Sequence, residues 1–244
     1  HDAGDYGRYM KTAAKTVSDL LFAYIANPEI FGDDNQGPDS GNGVPDILDE
    51  AGWALSWMLK MQDSSGNVYT KVITQTFAGD DCRPEDDRQA LTVMPTESTS
   101  TAYMGGTMAL AYSIFKDFNP EFAEKCLQAA VKCNAVINET HGTQTFVNPT
   151  DFSGGNYQDK DDLDARFYLK MALYYATNDY EYLGGAGWLF ADRDENCATG
   201  VSWQQCGGYG RYLFLISENG KTKDNGLYNK LIASLKSEAD TMLG

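Results

Sequence analysis

The sequence predicts an all-α chain. Apolar residues recur at i, i+3 and i+4 in about seven stretches, the period of a helix with one buried face. No βαβ alternation and no phosphate-binding glycine pattern accompany them. The connections are long and rich in Gly and Asp rather than in β-branched residues.

The first stripe follows "YGRYM" and runs through Val17, Leu21, Tyr24 and Ile25. The second, "VPDILDEAGWALSWMLKMQ", is the clearest. Pro45 suits a first helical turn, and Asp46, Asp49 and Glu50 set negative charge at the positive end of the dipole. Ile47, Leu48, Ala51, Leu55, Met58 and Leu59 then form its apolar face. "STAYMGGTMALAYSIF" is a third stretch, and "NPEFAEKCLQAAVKCNAVIN" a fourth, with Phe122, Cys126, Ala130, Cys133 and Ile137 in phase. "LDARFYLKMALYYA", the shorter "GGYGRYLFLI", and a final stripe of Tyr228, Leu231, Leu235 and Met242 complete the set. Residues 32–44, 63–97, 139–160 and 184–202 are expected to be loops. Connections of this length in a compact domain usually carry function or are disordered. Within the longest, "NVYTKVITQTF" suggests a short hairpin or extended segment.

The 244 residues, 42% of them hydrophobic, suffice for one large core, and the chain is read as a single domain, 1–244. Nineteen Lys and Arg against 35 Asp and Glu give a formal charge of −16. Such a field repels phosphate backbones and anionic lipid, so nucleic acid and membrane surfaces are excluded as partners and a neutral ligand fits. No apolar run approaches the ~20 residues needed to span a bilayer.

The five cysteines form no C-x-x-C pair, and two histidines are too few for an ordinary structural zinc site. Seven residues of helix hold Cys126 and Cys133 about 10 Å apart, beyond disulfide reach, so both are expected to be buried small hydrophobes. Cys197 and Cys206 flank a loop and are able to pair.

The opening residues, "HDAGDYGRY", put Asp2 and Asp5 on either side of a glycine. One reading is an exposed turn, which Asp and Gly favour. The other is a base site, with two carboxylates converging on one water, one taking its proton and the other orienting it.

This stretch, with "NGVPDILDEAGWALSWMLKMQ" after it, resembles the start of the catalytic domain of the family 9 glycoside hydrolases. "GNVYTKV", "STSTAYMGGTMALAYSIF", "NYQDKDDLDARFYLKMALYYATNDYEYL" and "VSWQQCGGYGRYLFL" continue the likeness in the family's order. The resemblance implies an (α/α)6 barrel, here its first half, with inner and outer helices around a shared axis and His1–Tyr9 at the wide, loop-bearing end. It implies hydrolysis of β-1,4-glucans such as cellulose, endo-acting and with inversion. Asp5 is then the general base and Asp2 its assistant. The two are not the acid–base pair, because inversion sets acid and base about 6.5–9.5 Å apart across the sugar.

The family's general-acid Glu belongs to a second half that 1–244 does not include, so the isolated chain is expected to be inactive and to leave apolar helix faces uncovered. The form "NGVPDILDE" resembles the branch in which an immunoglobulin-like module precedes the catalytic domain. A secreted or cell-surface protein is expected from the family. The alternative is an inactive remnant that binds carbohydrate or serves a structural role; a helical interaction module is the reading left if the resemblance is set aside.

No cofactor is required for this chemistry. A structural calcium ion is a further expectation. "YQDKDDLDAR" places Asp159, Asp161, Asp162 and Asp164 in six residues, and such carboxylates repel one another unless a hard cation joins them. The competing reading is a solvated acidic cap on the following helix. The resemblance puts calcium here through an Asp-Glu pair and a later Asp after a Trp, but this chain has Ala165 after Asp164 and Gln204 after Trp203. Asp159, Asp161 and Asp164 are the remaining candidates. Among the aromatics, Trp53 and Trp57 are expected to pack in a helix, whereas Trp188 and Trp203 are candidates for the cleft. His1 is expected to position the Asp-bearing turn, and His141 to be exposed.

Overall fold

The computed structural model describes residues 3–34, 37–192, 200–217, 222 and 225–243. Eight α-helices lie among them: α1 (Met10–Ala26), α2 (Asp46–Met58), α3 (Ser98–Phe115), α4 (Pro120–Glu139), α5 (Leu163–Thr177), α6 (Tyr180–Asp192), α7 (Gly207–Ile216) and α8 (Asn225–Leu243). The contacts between them fall in a simple order. α1, α3, α5 and α7 form a row in which each touches the next, and each also packs against the even-numbered helix that follows it. The chain is therefore a series of helical hairpins with an inner and an outer member.

α3 shows what an inner position demands. Nearly every residue from Ser98 to Ala111 is buried, without a polar face. A helix buried on every side, its few polar residues hydroxyls, belongs inside a core. Gly105 and Gly106 allow the approach: a Cβ on the first would lie 2.7 Å from Cys133 Cβ, and one on the second 2.6 Å from the Tyr168 ring. α1 and α2 instead bury single stripes, Met10, Ala14, Val17 and Leu21 on one and Leu48, Ala51, Leu55 and Met58 on the other, in the same core as α3. α4 begins on a cap the sequence specifies. The Asn119 side chain accepts the Phe122 N–H at 3.1 Å, and Pro120 occupies the first turn.

One expected loop is partly helix. Residues 184–192 belong to α6. Gly184, Gly185 and Gly187 each lower intrinsic helix preference by about 1 kcal/mol relative to Ala and hide the period; packing on α5 overrides that penalty. The extended segment expected in 63–97 is present. Its strand β2 (Lys71–Ile73) pairs antiparallel with β1 (Arg8–Tyr9) on one side and β3 (Thr92–Val93) on the other. The register sets Tyr9 opposite Lys71 and Arg8 opposite Val72. This small sheet ties the start of the chain to the long loop. Cys126, Cys133 and Cys206 are free, buried thiols; Cys197 lies outside the described residues. No helix among the described residues is long and apolar enough to cross a membrane.

Candidate active site

Asp5 ends a single 3-10 turn, Ala3–Asp5. Tyr6 follows in a left-handed conformation (φ 53°), uncommon for a residue with a Cβ, and reverses the chain into β1. The reversal lets the chain grip Asp5 from behind. The Gly7 N–H donates to Asp5 Oδ1 at 2.7 Å, and the Tyr9 hydroxyl donates to Asp5 Oδ2 at 2.7 Å. The Tyr6 hydroxyl donates to the Cys82 carbonyl at 2.5 Å, pinning the turn to the 63–97 loop. A carboxylate offers about four lone-pair sites, so two donors fix its orientation and leave capacity for a water.

Tyr9 is itself held from several sides. The Gly155 N–H donates to its hydroxyl at 3.1 Å. A Cβ on Gly154 would come 3.0 Å from that hydroxyl, so only glycine lets the 154–157 segment lie so close. Lys71, across the sheet, donates to the Gly155 carbonyl at 2.6 Å, and its ammonium stands 5.6 Å from the Tyr9 ring centre. Burial first, then the bond to Asp5, raises the Tyr9 phenol above its ordinary value, so the hydroxyl stays protonated and remains a donor. The Tyr9 ring meets Tyr157 edge-on at 4.7 Å, and Tyr157 meets Trp203 at 5.0 Å. An aromatic wall thus runs from the carboxylate to the loop before α7. Trp203, a cleft candidate from sequence, lies half-buried in this wall.

The acidic segment sits beyond Trp203. Asp159, Asp161 and Asp164 line a polar cleft of about 410 Å³ together with Lys160, Ser202, Gln204 and Gln205. Each of the three carboxylates has a protein donor. Asp159 Oδ2 accepts from Lys11 at 2.9 Å, Asp161 Oδ1 from the Leu163 N–H at 3.2 Å, and Asp164 Oδ2 from the Cys206 N–H at 2.6 Å. Asp162 turns away to Arg166, whose Nε donates to it at 2.7 Å. Among the described residues, the carboxylates whose oxygens gather within 4.8 Å are Asp33, Asp46 and Asp49 in the 32–49 region; Asp159, Asp161 and Asp164 do not gather in this way. The cleft brings the three expected calcium residues to one place without shaping a single cage of carboxylates, and so does not fit the ion on these three alone.

Asp2, the expected assistant to Asp5, and His1 lie outside the described residues, as does the side chain of Trp188. His141 is exposed, as expected. Trp53 is not a packing residue as the helical period suggested: it is 81% exposed and borders, with Trp57, an open groove of about 680 Å³ between α1 and α2. A stripe on the sequence places a residue on a helix face without saying whether anything covers that face. Sequence reasoning also missed Tyr9, Lys71 and Lys11. The signal was faint: Lys71 interrupts an apolar strand, and Lys11 shares the spacing of buried Ala14 and Ser18 on α1.

Comparisons with known proteins agree on one family. The profile of Glycosyl hydrolase family 9 matches residues 1–243. A cellodextrinase of Butyrivibrio fibrisolvens is 31% identical over the whole of this chain and 46% of its own length, and endoglucanase D of Acetivibrio thermocellus is 31% identical over the whole of this chain and 39% of its own. The chain thus spans less than half the length of these curated relatives. A metagenome-derived family 9 endoglucanase superposes with a TM-score of 0.89 at 33% identity, covering 98% of this chain and 43% of that one. A single mutant of the thermostable endoglucanase from Alicyclobacillus acidocaldarius gives 0.90 at 31%, covering 98% and 45%. The hairpin row of α1 to α8 is accordingly about half of an (α/α)6 barrel. By fold, by profile and by relatives, the chain belongs to glycosyl hydrolase family 9.

Proposed function

We propose that the protein hydrolyses β-1,4-glucosidic bonds of cellulose or a related β-glucan with inversion, acting within chains as an endoglucanase. The observation that carries this reading is Asp5, fixed by the Gly7 N–H and the Tyr9 hydroxyl and set beside an aromatic wall. Asp5 takes the proton of the attacking water, and Asp2, three residues earlier, holds that water in line. A glutamate outside residues 1–244 protonates the leaving oxygen. Sugar rings present apolar C–H faces, which suit the exposed side of an aromatic such as Trp203. One similar structure holds a cellobiose-like isofagomine. The charge of −16 favours a neutral polysaccharide over any polyanion. A role outside the cell or at its surface accords with a polymer too large to be taken up.

Inversion is read from the first product. Proton NMR of a fresh digest of soluble cello-oligosaccharide, with the domain complete, shows the α-anomer at the new reducing end before mutarotation. Appearance of the β-anomer first requires a covalent intermediate and removes Asp5 from the role of base. The isolated chain 1–244 releases no reducing sugar on this account; release by 1–244 alone places the acid within these residues.

A further inference from the structure

Lys11 is only 3% exposed, on the inner side of α1. Lysine is almost never buried unless it is paired. Its ammonium donates to Asp159 Oδ2 at 2.9 Å, lies 3.3 Å from Glu97 Oε1, and stands 5.5 Å from the Trp203 ring centre. These contacts come from separate parts of the chain. Glu97 precedes α3, where it accepts from Ser100 at 2.6 Å; Asp159 belongs to the acidic segment before α5; Trp203 lies in the loop before α7. One cation therefore joins α1 to three loops, two of which line the cleft.

The resemblance implies that a calcium ion has this task, but the chain departs from the pattern at Ala165 and Gln204. Ala165 has no side-chain oxygen to offer, and Gln204 lacks the charge of a carboxylate. Calcium takes six to eight oxygens, several of them charged. The carboxylates left here do not converge, and a fixed positive charge already sits on Asp159. We propose that the Lys11 ammonium is the resident cation of the acidic segment, holding 159–164 against the helical core and making that segment independent of calcium. The proposal stands whether or not the protein cleaves a glucan.

Thermal unfolding of the 1–244 chain tests it, with and without metal. With Asp49→Asn opening the Asp33, Asp46 and Asp49 cluster, the chain unfolds at the same midpoint in EGTA and in millimolar calcium, and a calorimetric titration with calcium chloride gives no saturable heat. Lys11→Met leaves Asp159 and Glu97 without their counter-charge and lowers the midpoint by roughly 10 °C. Lys11→Arg, which keeps the charge, recovers most of that loss. Adding Asp159→Asn to Lys11→Met also recovers part, because the uncompensated carboxylate is gone; a lysine that merely filled space would show no such coupling. A saturable rise of the midpoint of the Asp49→Asn chain with calcium overturns the proposal, as does a Lys11→Met chain as stable as wild type. If Lys11→Met does not fold, the Asp49→Asn titration and the Lys11→Arg chain in the same Asp49→Asn background decide: calcium dependence in either one contradicts it.

Discussion

At the scale of single residues, the chain spends its buried charge around the candidate site. Asp159 is the clearest case. Burial pushes its carboxyl up from 3.8 to about 6, while Lys11 pulls it back and Asp164 and Glu97 push it further. The folded value lies above the unfolded one, so the folded chain binds the extra proton between them. Asp159 therefore contributes most stability below about pH 4 and loses it as pH rises through about 6. Asp159→Asn flattens that part of the stability profile, as urea unfolding at a series of pH values will show; an unchanged slope contradicts the assignment. Lys71 works in the opposite sense. Burial lowers its ammonium from 10.5 to about 8, so its cost to the folded state is felt below about pH 8 and is relieved as pH rises toward 10.5. Asp5 was legible in the sequence because "HDAGDYGRY" places it in a motif of nine residues. Its anchorage was not, since the Gly155 N–H that fixes Tyr9 comes from 146 positions away.

At the scale of elements, periodicity read most of the helices and failed where glycine broke the pattern. α6 shows the failure, and α3 the compensation: Gly105 and Gly106 weaken the helix locally yet let α4 and α5 close on it. Spacing alone judged the α4 cysteines correctly, for helical rise separates Cys126 from Cys133 and both are free and buried. Burial pushes each of their thiols up to about 12, and the thiolate is the reactive form. A thiol reagent applied to the native chain at neutral pH, followed by peptide mass mapping, should therefore label Cys82, which is half-buried in the long loop, well before Cys126 or Cys133. Rapid labelling of the α4 pair would mean that α3 and α4 do not pack as described.

At the scale of the whole molecule, four helical hairpins follow one another, and their first and last inner helices also meet, Phe22 of α1 stacking on Tyr209 of α7 at 5.1 Å; the groove beside Trp53 and Trp57 lies between α1 and α2. The fold class was legible because each stripe repeats one physical instruction, to bury one face. The closed barrel was not written in any stripe and entered through the resemblance, which the profile and the superposed structures bear out at the level of family and fold. Loop contacts such as those between Lys11 and Asp159 join residues 148 positions apart, and local pattern carries no trace of them. Asp5 is the proposed base of the hydrolase. Reducing-end release from soluble cellulose measures it, comparing the domain completed beyond residue 244 with its Asp5→Asn form. The amide cannot accept the water's proton, and the proposed inversion has no covalent detour, so kcat should fall on the order of 10²–10⁴-fold while binding of cello-oligosaccharides persists. An Asp5→Asn enzyme that keeps wild-type kcat would contradict the account.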